Sequence, residues 1–123
     1  MRIANISAGL ICLILTGCTS LRPISSKPPE SAIVLSAPVT IREIVTTATF
    51  PAGEYHPLYE DDGGYYYQAP TKVVANDIFS YMYDGGLYVE RGTNEPTKWY
   101  VIGQNGQKTL GRFKTIPPHQ LIP

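Results

Sequence analysis

Hydrophobic and polar positions divide the chain into three stretches. Ile3 to Ile14 is a short apolar run interrupted by Asn5 and Ser7. Thr19 to Pro38 is polar and without period, carrying Pro23, Pro28, Pro29 and Pro38 among five serines. From Val39 onward apolar residues alternate with polar ones over short distances, and Gly, Pro, Asn or Asp break the pattern at close intervals. Side chains that point to opposite faces in turn produce such alternation, so this stretch predicts strands joined by tight turns. No segment carries a convincing helical period.

Val39 to Phe50 reads as one long strand, with Val39 and Ile41 on one phase and Ile44, Thr46, Ala48 and Phe50 on the other. The slip at Arg42-Glu43 predicts a β-bulge. After the turn Pro51-Ala52-Gly53, Glu54 to Tyr59 forms a second strand. Pro57 cannot donate to a ladder, which places that strand at an edge. Glu60-Asp61-Asp62-Gly63-Gly64 turns the chain into Tyr65 to Gln68. Thr71 to Ala75 and Ile78 to Tyr83 follow, joined at Asn76-Asp77. Asp84-Gly85 predicts a hairpin turn, because both central positions of a type I′ turn need positive φ. Leu87 to Arg91 pairs back, and Lys98 to Ile102 and Lys108 to Phe113 close around Asn105-Gly106. The expected fold is all-β, a small antiparallel barrel or sandwich of six to eight strands. Residues 39–116 form the domain, 117–123 a Pro-rich tail, and 18–38 a linker in which Ile33-Val34-Leu35 alone is apolar enough to join a sheet edge.

The chain also echoes itself. Asp62-Gly-Gly-Tyr-Tyr-Tyr-Gln followed by Pro70-Thr-Lys matches Asp84-Gly-Gly-Leu-Tyr-Val-Glu followed by Pro96-Thr-Lys. The match puts Tyr65 and Tyr67 on the phase of Leu87 and Val89, toward the core. Tyr66 and Tyr88 then share the opposite face with Gln68 and Glu90, a mixed set typical of solvated sheet. Tyrosine offers a large apolar ring with a polar tip, so Tyr66 and Tyr88 are the candidate binding face.

Formal charge is zero, and loss of Arg2 with an N-terminal segment leaves a mature chain near −1. Nothing resembles the basic surface that nucleic-acid binding requires. The two cysteines, Cys12 and Cys18, both precede the domain. About 85 residues must therefore hold by packing, without a disulfide, which gives a marginal core.

Met1-Arg2, the apolar run after it, and Leu15-Thr16-Gly17-Cys18 stand in the order of a secretory signal: positive, apolar, then small residues before a cut. The apolar run is shorter than the roughly 20 residues a membrane span needs. The four residues ending at Cys18 resemble the lipobox of bacterial lipoproteins. The resemblance covers residues 1–20 only. It implies signal residues 1–17, cleavage between Gly17 and Cys18, a diacylglyceryl group on the Cys18 thiol, and location at a cell membrane. Thr19 stands where an Asp would signal inner-membrane retention, so the outer membrane is favoured if the source is Gram-negative.

Candidate chemistry in the domain is sparse. His56 and His119 lie far apart with no acidic or cysteine ligand motif around either, so no metal site is expected. No serine sits in a nucleophile elbow and no glycine loop resembles a phosphate cradle. Glu60-Asp61-Asp62 offers oxygens for Ca²⁺ but lacks the alternating spacing of a calcium loop. No catalytic residue and no cofactor is expected. The expected function is a membrane-anchored, non-catalytic envelope lipoprotein whose domain binds a protein partner or cell-wall glycan. The alternative is an inhibitor of a cell-wall-degrading enzyme. Small lipoproteins that block lysozymes are similar in size and location, although they rely on disulfides and motifs missing here. A small hydrolase is the third reading.

Overall fold

A computed structural model describes residues 21–28, 32–43, 47–76 and 80–122. The signal segment, Gly17 and Cys18 lie outside the described residues, as do Ile44, Thr46, Asp77 and Ile78. The fold is all-β. Among the described residues there is no helix, and hence none long and apolar enough to cross a membrane.

The described residues form eleven strands, more than the six to eight expected: β1 Arg22–Pro23, β2 Ala32–Leu35, β3 Val39–Arg42, β4 Thr47–Phe50, β5 Gly53–Glu60, β6 Gly64–Gln68, β7 Val73–Asn76, β8 Ser80–Glu90, β9 Lys98–Ile102, β10 Lys108–Arg112 and β11 Gln120–Ile122. Every pairing is antiparallel. The hydrogen-bonded path runs β11-β2-β5-β6-β8-β7-β4-β3, with β1 beside β5, and β9 then β10 beside β8. Among the described residues the sheet does not close: there β3 pairs only with β4, and β10 only with β9.

The long strand β8 changes partner along its length. β4 pairs with β7, and β7 with Ser80–Tyr83 of β8. Further along, β5 pairs with β6, and β6 with Gly86–Glu90 of the same β8. The change of partner falls at Asp84-Gly85, where β9 pairs on without interruption. The expected hairpin turn at Asp84-Gly85 is therefore wrong, because β8 runs straight through it. Positive φ occurs instead at Gly53, Gly92 and Gly106. The β8 glycines serve close approach: a Cβ on Gly86 would lie 2.0 Å from the Tyr67 carbonyl oxygen, and one on Gly85 2.5 Å from that of Tyr100. The turn at Asn105-Gly106 is present as expected.

Two more expectations change. Val39 to Phe50 is not one bulged strand but an antiparallel pair, with Val39 opposite Phe50 and Arg42 opposite Thr47. The phase slip at Arg42-Glu43 marks a reversal of the chain. Nor is the Pro57 strand an edge, since β5 has β6 on one side and both β2 and β1 on the other. Pro57 falls between the part of β5 that pairs with β2 and the part that pairs with β1, and the β5–β6 register slips between Pro57 and Tyr59.

The β structure also begins upstream of Val39. Ile33 pairs with Tyr55 on β5 and Leu121 on β11, and both Ile33 and Leu35 are fully buried. They join a main core with Phe50, Tyr67, Leu87 and Trp99. The residues between Thr19 and Pro38 are thus not a free linker throughout. Burial of these side chains is worth about 1.5–3 kcal/mol each, enough to hold a short strand that local sequence alone leaves undecided.

The echo resolves into a pair of strands. β6 and β8 lie antiparallel with Tyr66 opposite Tyr88, Tyr65 opposite Val89 and Tyr67 opposite Leu87. Tyr65, Tyr67, Leu87 and Val89 face the main core, as the period of two predicts. Tyr66 and Tyr88 do take the other face, but that face is not solvated.

Candidate functional site

Tyr66 is 0% and Tyr88 3% exposed, and with Tyr100 they form a second buried cluster against which Leu21, Tyr59 and Ile102 pack. Ring centroids lie 4.7 Å apart for Tyr66–Tyr88 and 4.8 Å for Tyr66–Tyr100. The proposed binding face at Tyr66 and Tyr88 is therefore corrected to an interior. Alternation along β6 distinguishes its two faces correctly, but it does not show that other chain segments cover both.

The acidic run beside this cluster is structural. Glu60, the last residue of β5, accepts from the Ser25 amide at 2.6 Å, Ser25 Oγ at 2.7 Å, Arg91 Nη2 at 2.7 Å and Ser26 Oγ at 2.8 Å. The Ser25 amide and hydroxyl, then Arg91 and Ser26, hold its carboxyl far below the usual range. Asp61 Oδ1 accepts from the amides of Gly63 at 2.9 Å and Gly64 at 3.0 Å, and from Tyr88 Oη at 3.3 Å. Its Oδ2 accepts from Lys108 Nζ at 2.8 Å and, closely, from the Tyr66 hydroxyl. Burial works against ionisation of Asp61, but Lys108, Tyr66 and the Gly63 amide outweigh it and keep the carboxyl below its ordinary value. Only Asp62 is exposed, and it pairs with Arg22 at 3.1 Å. Glu60 and Asp61 thus already accept bonds from protein donors where Ca²⁺ would need their oxygens. Among the described residues no three His, Cys, Asp or Glu side chains group as metal ligands. His56 is exposed beside Glu54, and His119 bonds the Pro117 carbonyl oxygen.

These bonds fix the range of pH in which the domain is stable. Glu60 and Asp61 sit below their ordinary values of 4.5 and 3.8. The stability they add is complete above those values and is lost as pH falls through the depressed folded ones. Burial, aided at Tyr66 and Tyr88 by Asp61, raises the phenols of Tyr55, Tyr66, Tyr88 and Tyr100 above 10.0. Their contribution is complete below 10.0 and is lost as pH rises through the raised folded values. The urea midpoint should therefore stay level between about 4.5 and 10.0 and fall on both sides. Phenolate absorbance from these four rings should appear only together with unfolding. A smooth titration of all nine tyrosines near 10.0 in folded protein would contradict the burial.

The open part of the molecule lies where the sheet fails to close. A groove of about 930 Å³ is lined by residues 39–43 on one side and 109–118 on the other, with Trp99 between them. A groove over a sheet face touches alternate residues, because alternate side chains point away. Here both walls contribute consecutive residues, so the groove follows the unpaired edges of β3 and β10. Trp99 is 6% exposed, and its Nε1 is buried without a hydrogen-bond partner. The indole lies over Gly111, where a Cβ would be 2.3 Å from Cζ2. A second cleft of about 630 Å³ on the other side of Trp99 includes Tyr81, Tyr83, Gln104 and Gln107. Arg42, Arg112 and Lys114 line the first groove against a single acid, Glu43, and none of the three cations has an ion-pair partner among the described residues. Sequence reasoning missed these residues, since they come from segments about 70 positions apart. The one local sign was a lone tryptophan beside Tyr100.

No protein-family model, curated protein or solved structure matches the chain.

Proposed function

We propose that this chain is a lipid-anchored, non-catalytic binding protein of the bacterial cell envelope, held to the membrane through Cys18 and engaging its partner at the open seam between β3 and β10. The observation that carries the binding reading is the groove along two strand edges left unpaired among the described residues, with Trp99 between its walls. Unpaired edges are normally protected. A site that keeps two of them open is suited to a ligand that supplies the missing backbone partners. The acidic run supports a non-catalytic reading, because Glu60 and Asp61 are consumed by internal bonds.

The anchor reading rests on the lipobox resemblance of Leu15-Thr16-Gly17-Cys18, with the outer membrane favoured in a Gram-negative source. It also has a geometric consequence. Leu21 packs against the tyrosine cluster, and Ser25 and Ser26 are clasped by Glu60. Three residues from Cys18 to Leu21 span at most about 11 Å. A lipidated Cys18 would therefore hold the domain close against the bilayer, not on a long tether.

Labelled palmitate should enter the wild-type protein, and Cys18→Ala should abolish both the label and sedimentation with membranes. The same variant should melt at the wild-type temperature, because the described core residues all lie downstream of Cys18. Undiminished labelling of Cys18→Ala would remove the anchor reading and leave the seam untouched.

A further inference from the structure

We infer that the seam takes an extended, acidic peptide segment of a partner protein as an added strand between β3 and β10. This rests on the binding reading above and gives the partner its chemistry. An added strand needs backbone donors and acceptors facing it. β3 offers the edge opposite β4, and β10 the edge opposite β9, since each has one partner strand among the described residues. The groove follows both edges over the full length of β3 and most of β10. An extended peptide places alternate side chains on opposite sides. One set would meet the apolar base formed by Val39, Ile41, Trp99 and Phe113. The other set would point outward, among Arg42, Arg112 and Lys114.

Charge selects the kind of partner. Three cations against Glu43 leave the rim positive, in a chain whose formal net charge is zero. A second copy of this chain would bring the same cations against one another, so self-pairing is disfavoured. A peptide with acids on its outward positions satisfies them.

Trp99 is the single tryptophan, so its emission reports the seam directly. The probe is a nine-residue peptide alternating valine and glutamate, with blocked ends, titrated into the full lipidated chain in detergent micelles. Emission should change saturably. Affinity should fall at least tenfold when lysine replaces glutamate in the peptide, and binding should vanish when alternate backbone amides are N-methylated. Arg112→Glu combined with Lys114→Glu changes two exposed side chains. It should leave the melting temperature unchanged, weaken the glutamate peptide at least tenfold and improve the lysine peptide. Equal binding of the two peptides, or undiminished binding of the N-methylated one, would overturn the proposal. So would an unchanged Trp99 emission in protein that circular dichroism shows to be folded. If chitotetraose shifts the emission and the peptide does not, the seam binds a ligand but the peptide assignment fails.

Discussion

Tyr66→Ala unfolds the domain or leaves it barely folded. The ring is fully buried between Tyr88 and Tyr100, and its hydroxyl donates to Asp61. Truncating a buried aromatic costs about 3–5 kcal/mol. The whole stability of a domain is about 5–15 kcal/mol, with a small one toward the lower end. Removing the hydroxyl also takes a donor from buried Asp61, which adds to the loss. Urea melts of Tyr66→Ala, Tyr67→Ala and Met82→Ala make the comparison. The two tyrosine variants should be similarly damaged, because β6 is buried on both faces. Met82, 63% exposed, should change by no more than about 0.5 kcal/mol. Tyr66→Phe should fall between, keeping the ring and losing the bond. A Tyr66→Ala variant as stable as Met82→Ala would restore an open tyrosine face and refute the second core.

Asp61→Ala has the next largest effect, about 3–5 kcal/mol, the range for breaking a buried ion pair by removing one partner. The carboxylate is the common acceptor for Lys108, Tyr66, Tyr88 and the amides of Gly63 and Gly64. Lys108 is partly exposed and can turn toward water; the two amides cannot leave the turn so easily. Asp61→Asn should therefore be milder than Asp61→Ala, since it still offers an oxygen to those amides. Adding Lys108→Met to Asp61→Ala should recover part of the loss, because it removes an ammonium group left without its counter-charge. The double-mutant cycle measures that coupling. Additivity within about 0.5 kcal/mol would mean that Lys108 and Asp61 do not interact.

Local pattern revealed the strand content and the turn at Asn105-Gly106, because alternation and turn chemistry are encoded in neighbouring residues. It also gave the facing of β6 and β8, since the echo Asp62-Gly-Gly and Asp84-Gly-Gly aligns Tyr66 with Tyr88. The errors came from tertiary context. Asp84-Gly85 has the residues of a hairpin turn, but here they lie within β8, where the Tyr67 and Tyr100 carbonyls crowd the strand at Gly86 and Gly85. Pro57 reads as an edge residue because a gap between two short strands cannot be read from sequence. Ile33-Val34-Leu35 is apolar enough to pair, but its place between β5 and β11 depends on residues 20 to nearly 90 positions away. The acidic turn could not be recognised as a structural clasp, because its partners Ser25, Arg91 and Lys108 are spread over the whole domain. The seam was hidden for the same reason: β3 and β10 are separated by most of the chain.

Under the proposed function, a partner meets the seam between β3 and β10 and not a tyrosine face. A photo-crosslinking amino acid placed at Ile41 or Leu110, in the groove, and at Leu58 or Met82, exposed outside it, tests this in the full lipidated chain on native envelopes. The account predicts a discrete protein adduct from Ile41 and Leu110 and none from Leu58 or Met82, with the groove adducts lost in Arg112→Glu/Lys114→Glu. Adducts from Leu58 or Met82 with none from the groove would contradict it.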